Sequence, residues 1–118
     1  MNPLRLSRET ACESPKIVVF RIAGDVDYLS VGSVERAFNE VLESDKPQHV
    51  LLDLSGLTFL VTPFMGSLLF WKEEMLKRGG KLALFGMQPA IASTLRLIRL
   101  DRVLTFWANR EDALANLS

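Results

Sequence analysis

The chain has 118 residues, 48% of them hydrophobic, and its fourteen basic and fourteen acidic side chains cancel. That length suits one domain, and the apolar content favours a folded core over disorder. Zero net charge gives no electrostatic basis for binding nucleic acid or an anionic membrane, and no apolar run reaches the roughly 18 residues of a membrane span.

The first segment, "MNPLRLSRETACESP", lacks the apolar stretch of a signal peptide, so a cytoplasmic protein is expected, without membrane insertion. Within it, "LRLSRE" (4–9) alternates weakly and reads as an edge strand, with Cys12 to Pro15 as the connecting turn. "KIVVFRIAG" (16–24) is nearly continuous in apolar residues, the pattern of a central strand covered on both faces. "GDVD" (24–27) then turns the chain. In "SVGSVERAFNEVLES" (30–44), Val34, Ala37, Phe38, Val41 and Leu42 have amphipathic helical spacing, with Ser30 or Ser33 as the cap. Pro47 ends that helix, because the residue before a proline disfavours helical backbone.

"HVLLDLSGL" (49–57) is the second buried strand, and Asp53 within it is expected to hydrogen-bond the following turn. "TPFMGSLLFWKEEMLKR" (62–78) is the longest helix, stopped by Gly79 and Gly80. Thr62 is expected to cap it, with Pro63 at its first position. On a helical wheel Phe64, Met65, Leu68, Leu69, Trp71, Met75 and Leu76 share a broad apolar arc. Lys72 falls inside that arc, where its stem can lie along apolar surface. Phe70 lies on the polar side, one turn beyond Gly66.

"KLALFG" (81–86) is a third buried strand. "QPAIASTLRLIRL" (88–100) is a helix burying Ile91, Leu95 and Ile98, "RVLTFW" (102–107) a short last strand, and "NREDALANL" (109–117) a helix capped by Asn109. The order β-β-α-β-α-β-α-β-α predicts an α/β domain spanning residues 1–118. Its sheet is mixed and mostly parallel, with four to five strands and about four helices.

Chemistry is sparse. Cys12 is the only cysteine and His49 the only histidine, too few for a metal cluster or a His-based triad. No phosphate loop or nucleophile elbow occurs, so neither a cofactor nor catalysis is expected. Trp71 and Trp107 lack a basic groove around them and read as packing residues. Asp25 and Asp27 form an acidic pair in a turn, short of the six or so oxygens a Ca²⁺ site needs.

Four segments carry a resemblance: "IAGDVD" (22–27), "HVLLDLSGLTF" (49–59), "RGGKLALFG" (78–86) and "LRLIRLDRVLTF" (95–106). In this order and spacing they resemble the STAS family of bacterial anti-sigma factor antagonists and sulfate-transporter tails, over residues 16–117. In that family the turn after the central strand reads Asp-Ser-Ser-Gly or Asp-Ser-Thr-Gly, and a partner kinase phosphorylates the residue after the Asp. Here Val61 stands for the Asp, Thr62 for the phosphoacceptor, Pro63 for the second hydroxyl residue and Phe64 for the Gly.

The resemblance implies a protein-binding module. Its partner would be an anti-sigma factor or kinase, or another signalling or transporter subunit, and a homodimer is compatible with it. The contact residues it implies are Asp25, Asp27 and Thr62; the helix from Pro63 adds Phe64, Gly66, Ser67 and Phe70 as a protein-contact strip, because small Gly66 lets another surface approach one turn before the outlying Phe70. Two readings stay open at Thr62: a phosphorylated switch and a plain helix cap. Two also stay open for the whole: a regulator of transcription, and a structural subunit of a lipid-transport complex or stress-signalling scaffold. A nucleotide or small anion at the helix start is a third reading, weakened by the lack of basic residues there.

Overall fold

The computed structural model describes residues 1–117. Its centre is β2 (Lys16–Val26), whose apolar run meets an antiparallel neighbour on one side and parallel strands on the other. The antiparallel neighbour is β1 (Arg5–Glu13), longer than predicted: Cys12 pairs with Ile17 inside the strand, and only Ser14 and Pro15 form the turn. On the parallel side follow β3 (His49–Asp53), β5 (Lys81–Phe85) and β6 (Thr105–Trp107).

A sixth strand, β4 (Leu57–Leu60), pairs with the far end of β2, opposite Gly24 to Val26. Residues 49–57, expected as one strand, divide between β3 and β4, so the expected four to five strands are six. Ser55 bonds back to the Asp53 carboxylate and ends β3, and β2 extends beyond it far enough to take up β4. The result is a mixed, mostly parallel α/β sheet with six strands and four α-helices among the described residues. The helices are α1 (Val31–Asp45), α2 (Thr62–Lys77), α3 (Pro89–Leu97) and α4 (Arg110–Ala115).

Strand alternation divides the apolar residues between two faces. The register rows Val18–Val50–Leu82 and Phe20–Leu52–Leu84 lie in one core with residues of α1, α2 and α3. The intervening row Val19–Leu51–Ala83 lies in a smaller core closed by Ala113 of α4 and by Leu117. In the larger core the Trp71 and Phe38 rings stack 4.2 Å apart, and the edges of Phe20 and Phe64 meet this pair.

The predicted arc of α2 was too broad. Phe64, Ser67, Leu68, Trp71 and Met75 are buried, whereas Leu69 and Leu76 are exposed. Lys72 reaches out of the arc to donate to the Val103 carbonyl in the loop before β6. The third helix also ends early: Arg99 adopts φ 65, and a 3-10 turn over Leu100–Arg102 replaces the last predicted helical turn. Ile98, expected in the core, is 50% exposed.

His49 is buried at the start of β3, and its Nδ1 accepts the Lys81 backbone N–H at 3.1 Å. Burial, with Lys81 nearby as a second cause, lowers its pKa below the ordinary value. The fold therefore prefers the neutral ring. Its contribution to stability should be complete above about pH 6.5, where the unfolded chain also carries it neutral. It should fade as pH falls through the folded-state pKa. His49→Asn keeps an acceptor without titrating, so denaturant melts of the two proteins should diverge only on the acid side. Parallel stability curves from pH 8 to pH 5 would refute this role.

Candidate functional site

The ends of β2 and β4 are hydrogen-bonded neighbours, with Val26 opposite Leu60 and the Val61 N–H donating to the Val26 carbonyl. The residues that follow, Asp27 on one strand and Thr62 on the other, therefore leave the sheet side by side. Because β2 and β4 run parallel, this is their carboxyl end, where the crossover helices start.

Asp25 is held from two sides. Its carboxylate accepts the Thr58 hydroxyl at 2.6 Å and the Asn2 N–H at 3.0 Å, and its own N–H donates to the Asn2 carbonyl. The Thr58 bond, followed by the Asn2 backbone contact, lowers its pKa. Gly24 makes this docking possible. At φ 88 it sits where a Cβ would lie 2.0 Å from the Pro3 carbonyl oxygen. Asp27 organises the next turn: one carboxylate oxygen accepts the Leu29 and Ser30 N–H groups and the Ser30 hydroxyl. Ser30 in turn receives the Asp27 N–H, so it stabilises the approach to α1 without capping the helix through its side chain. Both acids thus have local structural work besides any contact role.

Thr62 is exposed, but it is not the cap. Val61 occupies that position in extended backbone, because its N–H is still committed to the β2 pairing, and Thr62 is the first helical residue. No hydrogen bond engages the Thr62 hydroxyl among the described residues. Phe64 and Ser67, expected at a contact surface, are interior. Phe64 is 0% exposed and packs edge-on against Trp71, and the buried Ser67 hydroxyl donates to the Pro63 carbonyl. Their spacing explains this, since Phe64, Ser67, Leu68 and Trp71 follow the buried side of the helix.

Thr62, Gly66 and Phe70 remain outside, four residues apart on one side of α2. Phe70 is 57% exposed, and space is open above Gly66. The same end of the fold shows three apolar residues the sequence reading did not single out: Tyr28, Leu29 and Phe59. Phe59 had a legible signal, because strand alternation turns it away from buried Leu60. Tyr28 and Leu29 had none beyond their place beside the "GDVD" turn. Among the described residues, no three His, Cys, Asp or Glu side chains converge on a metal position. No described helix is long and apolar enough to cross a membrane.

The STAS domain family profile matches residues 10–113, and the chain belongs to that family. An anti-sigma F factor antagonist from Paenibacillus polymyxa is 22% identical over 101 residues, which are 86% of this chain and 86% of the relative. The structure of an anti-sigma factor antagonist from Mycobacterium paratuberculosis superposes with a TM-score of 0.80 at 22% identity, covering 96% of this chain and 94% of that one. The phosphorylated form of the Bacillus cell fate determinant SpoIIAA superposes with a TM-score of 0.71 at 17% identity, covering 97% and 100%. At such identities the structural likeness establishes the fold.

Proposed function

We propose that this chain is a non-catalytic regulatory module that binds an anti-sigma or kinase-type partner through the end of the domain carrying Thr62. Capture of an anti-sigma factor would release its sigma factor and so change transcription. The observation that supports this reading most is the exposed Thr62–Gly66–Phe70 side of α2, at the sheet end that also carries Asp25, Asp27 and Phe59. Gly66 lets a partner approach the helix backbone, and Phe70 offers an aromatic anchor of the kind that dominates small interfaces.

Phosphorylation of Thr62 would add roughly 1.5 to 2 negative charges at a helix start. The free N–H groups and helix dipole there favour an anion, but Pro63 removes one donor. The exposed hydroxyl is open to a kinase, while the acid of the usual turn is replaced by Val61, 93% of which is buried by its neighbours. Control by phosphate would then act on the partner through repulsion and lost apolar contact.

A structural subunit of a larger assembly is the second reading, favoured by Val61 and Phe64 being core residues. Affinity purification from native cells, with mass spectrometry of partners and of Thr62, separates the two. Phe70→Asp should lose the partner by at least about 30-fold, the size of an anchoring aromatic contact. Thr62→Ala should bind normally and Thr62→Glu poorly. Recovery of transporter subunits would replace the regulatory reading by the structural one. Full binding by Phe70→Asp would remove this surface from either.

A further inference from the structure

The crossover helix α3 runs back from its start at Pro89 and finishes at Leu97, ahead of the short strand β6. There the chain reads Arg96-Leu97-Ile98-Arg99-Leu100-Asp101-Arg102-Val103. Leu97 is 82% exposed, Ile98 50% and Val103 43%. None of the three arginines forms an ion pair among the described residues, although Arg8, Arg21 and Arg110 do. The left-handed backbone of Arg99 stops α3 and leaves Leu97 and Ile98 outside the core.

Beside them lies a hollow of about 460 Å³ walled by Lys72, Arg96, Arg102, Val103, Thr105 and Phe106, with Asp101 its single acid. Strand β6 forms part of this wall and is the last strand of the sheet, paired with β5 alone. Its outer backbone groups have no strand partner among the described residues. One corner of an otherwise neutral chain thus combines unpaired guanidinium groups, projecting aliphatic side chains and an open strand edge.

We infer that this corner is a second docking surface, and that its occupant is an acidic protein segment with interspersed apolar residues, lying extended along β6. Carboxylates match the planar donor forks of Arg96 and Arg102. Apolar side chains of the same segment cover Leu97, Ile98 and Val103, and its backbone completes the β6 edge. A flat bilayer would not enter the hollow. Nucleic acid would satisfy the arginines and leave the aliphatic residues uncovered. None of its residues is among those proposed to meet a partner on the Thr62–Gly66–Phe70 side of α2.

A short labelled peptide alternating Glu and Leu is the probe. It should bind saturably at low salt, with amide shift changes confined to residues 96–106, and binding should weaken as salt screens the pairs. Arg96→Gln with Arg102→Gln should weaken it at least about tenfold, the scale of losing close charge pairs, and Leu97→Ser should weaken it independently. All three positions are exposed, so the variants keep the wild-type circular dichroism. Phe70→Asp should leave the affinity unchanged, which separates this surface from the first. Absence of saturable binding, shifts at the Thr62 end, or indifference to the arginine substitutions would overturn the inference. Vesicles of phosphatidylcholine and phosphatidylserine binding where the peptide does not would assign the corner to a membrane instead.

Discussion

Trp71→Ala should destabilise the protein by about 4 kcal/mol, the usual loss when a buried aromatic is cut to a methyl in a close-packed core. Trp71 is 1% exposed and sits where α1 and α2 meet the sheet. It stacks on Phe38 at 4.2 Å with the rings only 7° apart, and Phe64 meets it edge-on at 5.8 Å. Removing the indole leaves both phenyl rings facing a void that neighbours on two helices and a strand cannot close together. Trp71→Phe fills part of that space and should cost about half as much. Chemical denaturation of the three proteins measures the ordering. A loss under about 1 kcal/mol for the alanine variant would mean the core collapses around the gap and is far more plastic than its packing indicates.

Gly24→Ala should cost about 3 kcal/mol through two separable effects. Its φ of 88 is strained for any residue with a Cβ, and that Cβ would stand 2.0 Å from the Pro3 carbonyl oxygen. The left-handed backbone accounts for about 1–2 kcal/mol. The remainder comes from pushing residues 1–3 off β2, which breaks the two Asn2–Asp25 hydrogen bonds. Removing Met1 to Pro3 first should reduce the cost of the substitution to the backbone share alone. An equal cost in full-length and shortened proteins would show that the N-terminal contact carries nothing. The Asp25 carboxyl would report the same event, since without Asn2 its pKa should rise toward the ordinary value.

The strands and helices were legible where periodicity and burial agree. Val34, Phe38 and Val41 predicted the buried side of α1, and Gly79–Gly80 predicted the end of α2. Errors fell where a distant partner decides the local structure. No feature of "LTFL" announces a separate strand; β4 exists because β2 runs on past β3. Thr-Pro at a helix start favours Thr as the cap, yet pairing of Val61 with Val26 moves the cap back one residue. Phe64 and Ser67, grouped with Gly66 and Phe70 as a contact strip, lie on the buried side of α2, where the apolar arc already placed Phe64. The cationic corner was invisible in the net charge, because summed charge carries no information about where the charges lie.

The two cores are unequal, and the smaller one is closed by a helix of six residues, α4. A helix that short does not persist in water by itself. It is kept by the Asn109 side chain accepting the Asp112 N–H, by Arg110 bonding Glu9 across the sheet, and by burial of Ala113. Lifting of α4 should therefore cost less free energy than global unfolding. Its amides should exchange with solvent before those of β2, β3 and α2, which stay protected. Such breathing uncovers Ile17, Val19 and Leu51 on one side of the sheet and leaves the helix bearing Thr62, seated on the other, undisturbed.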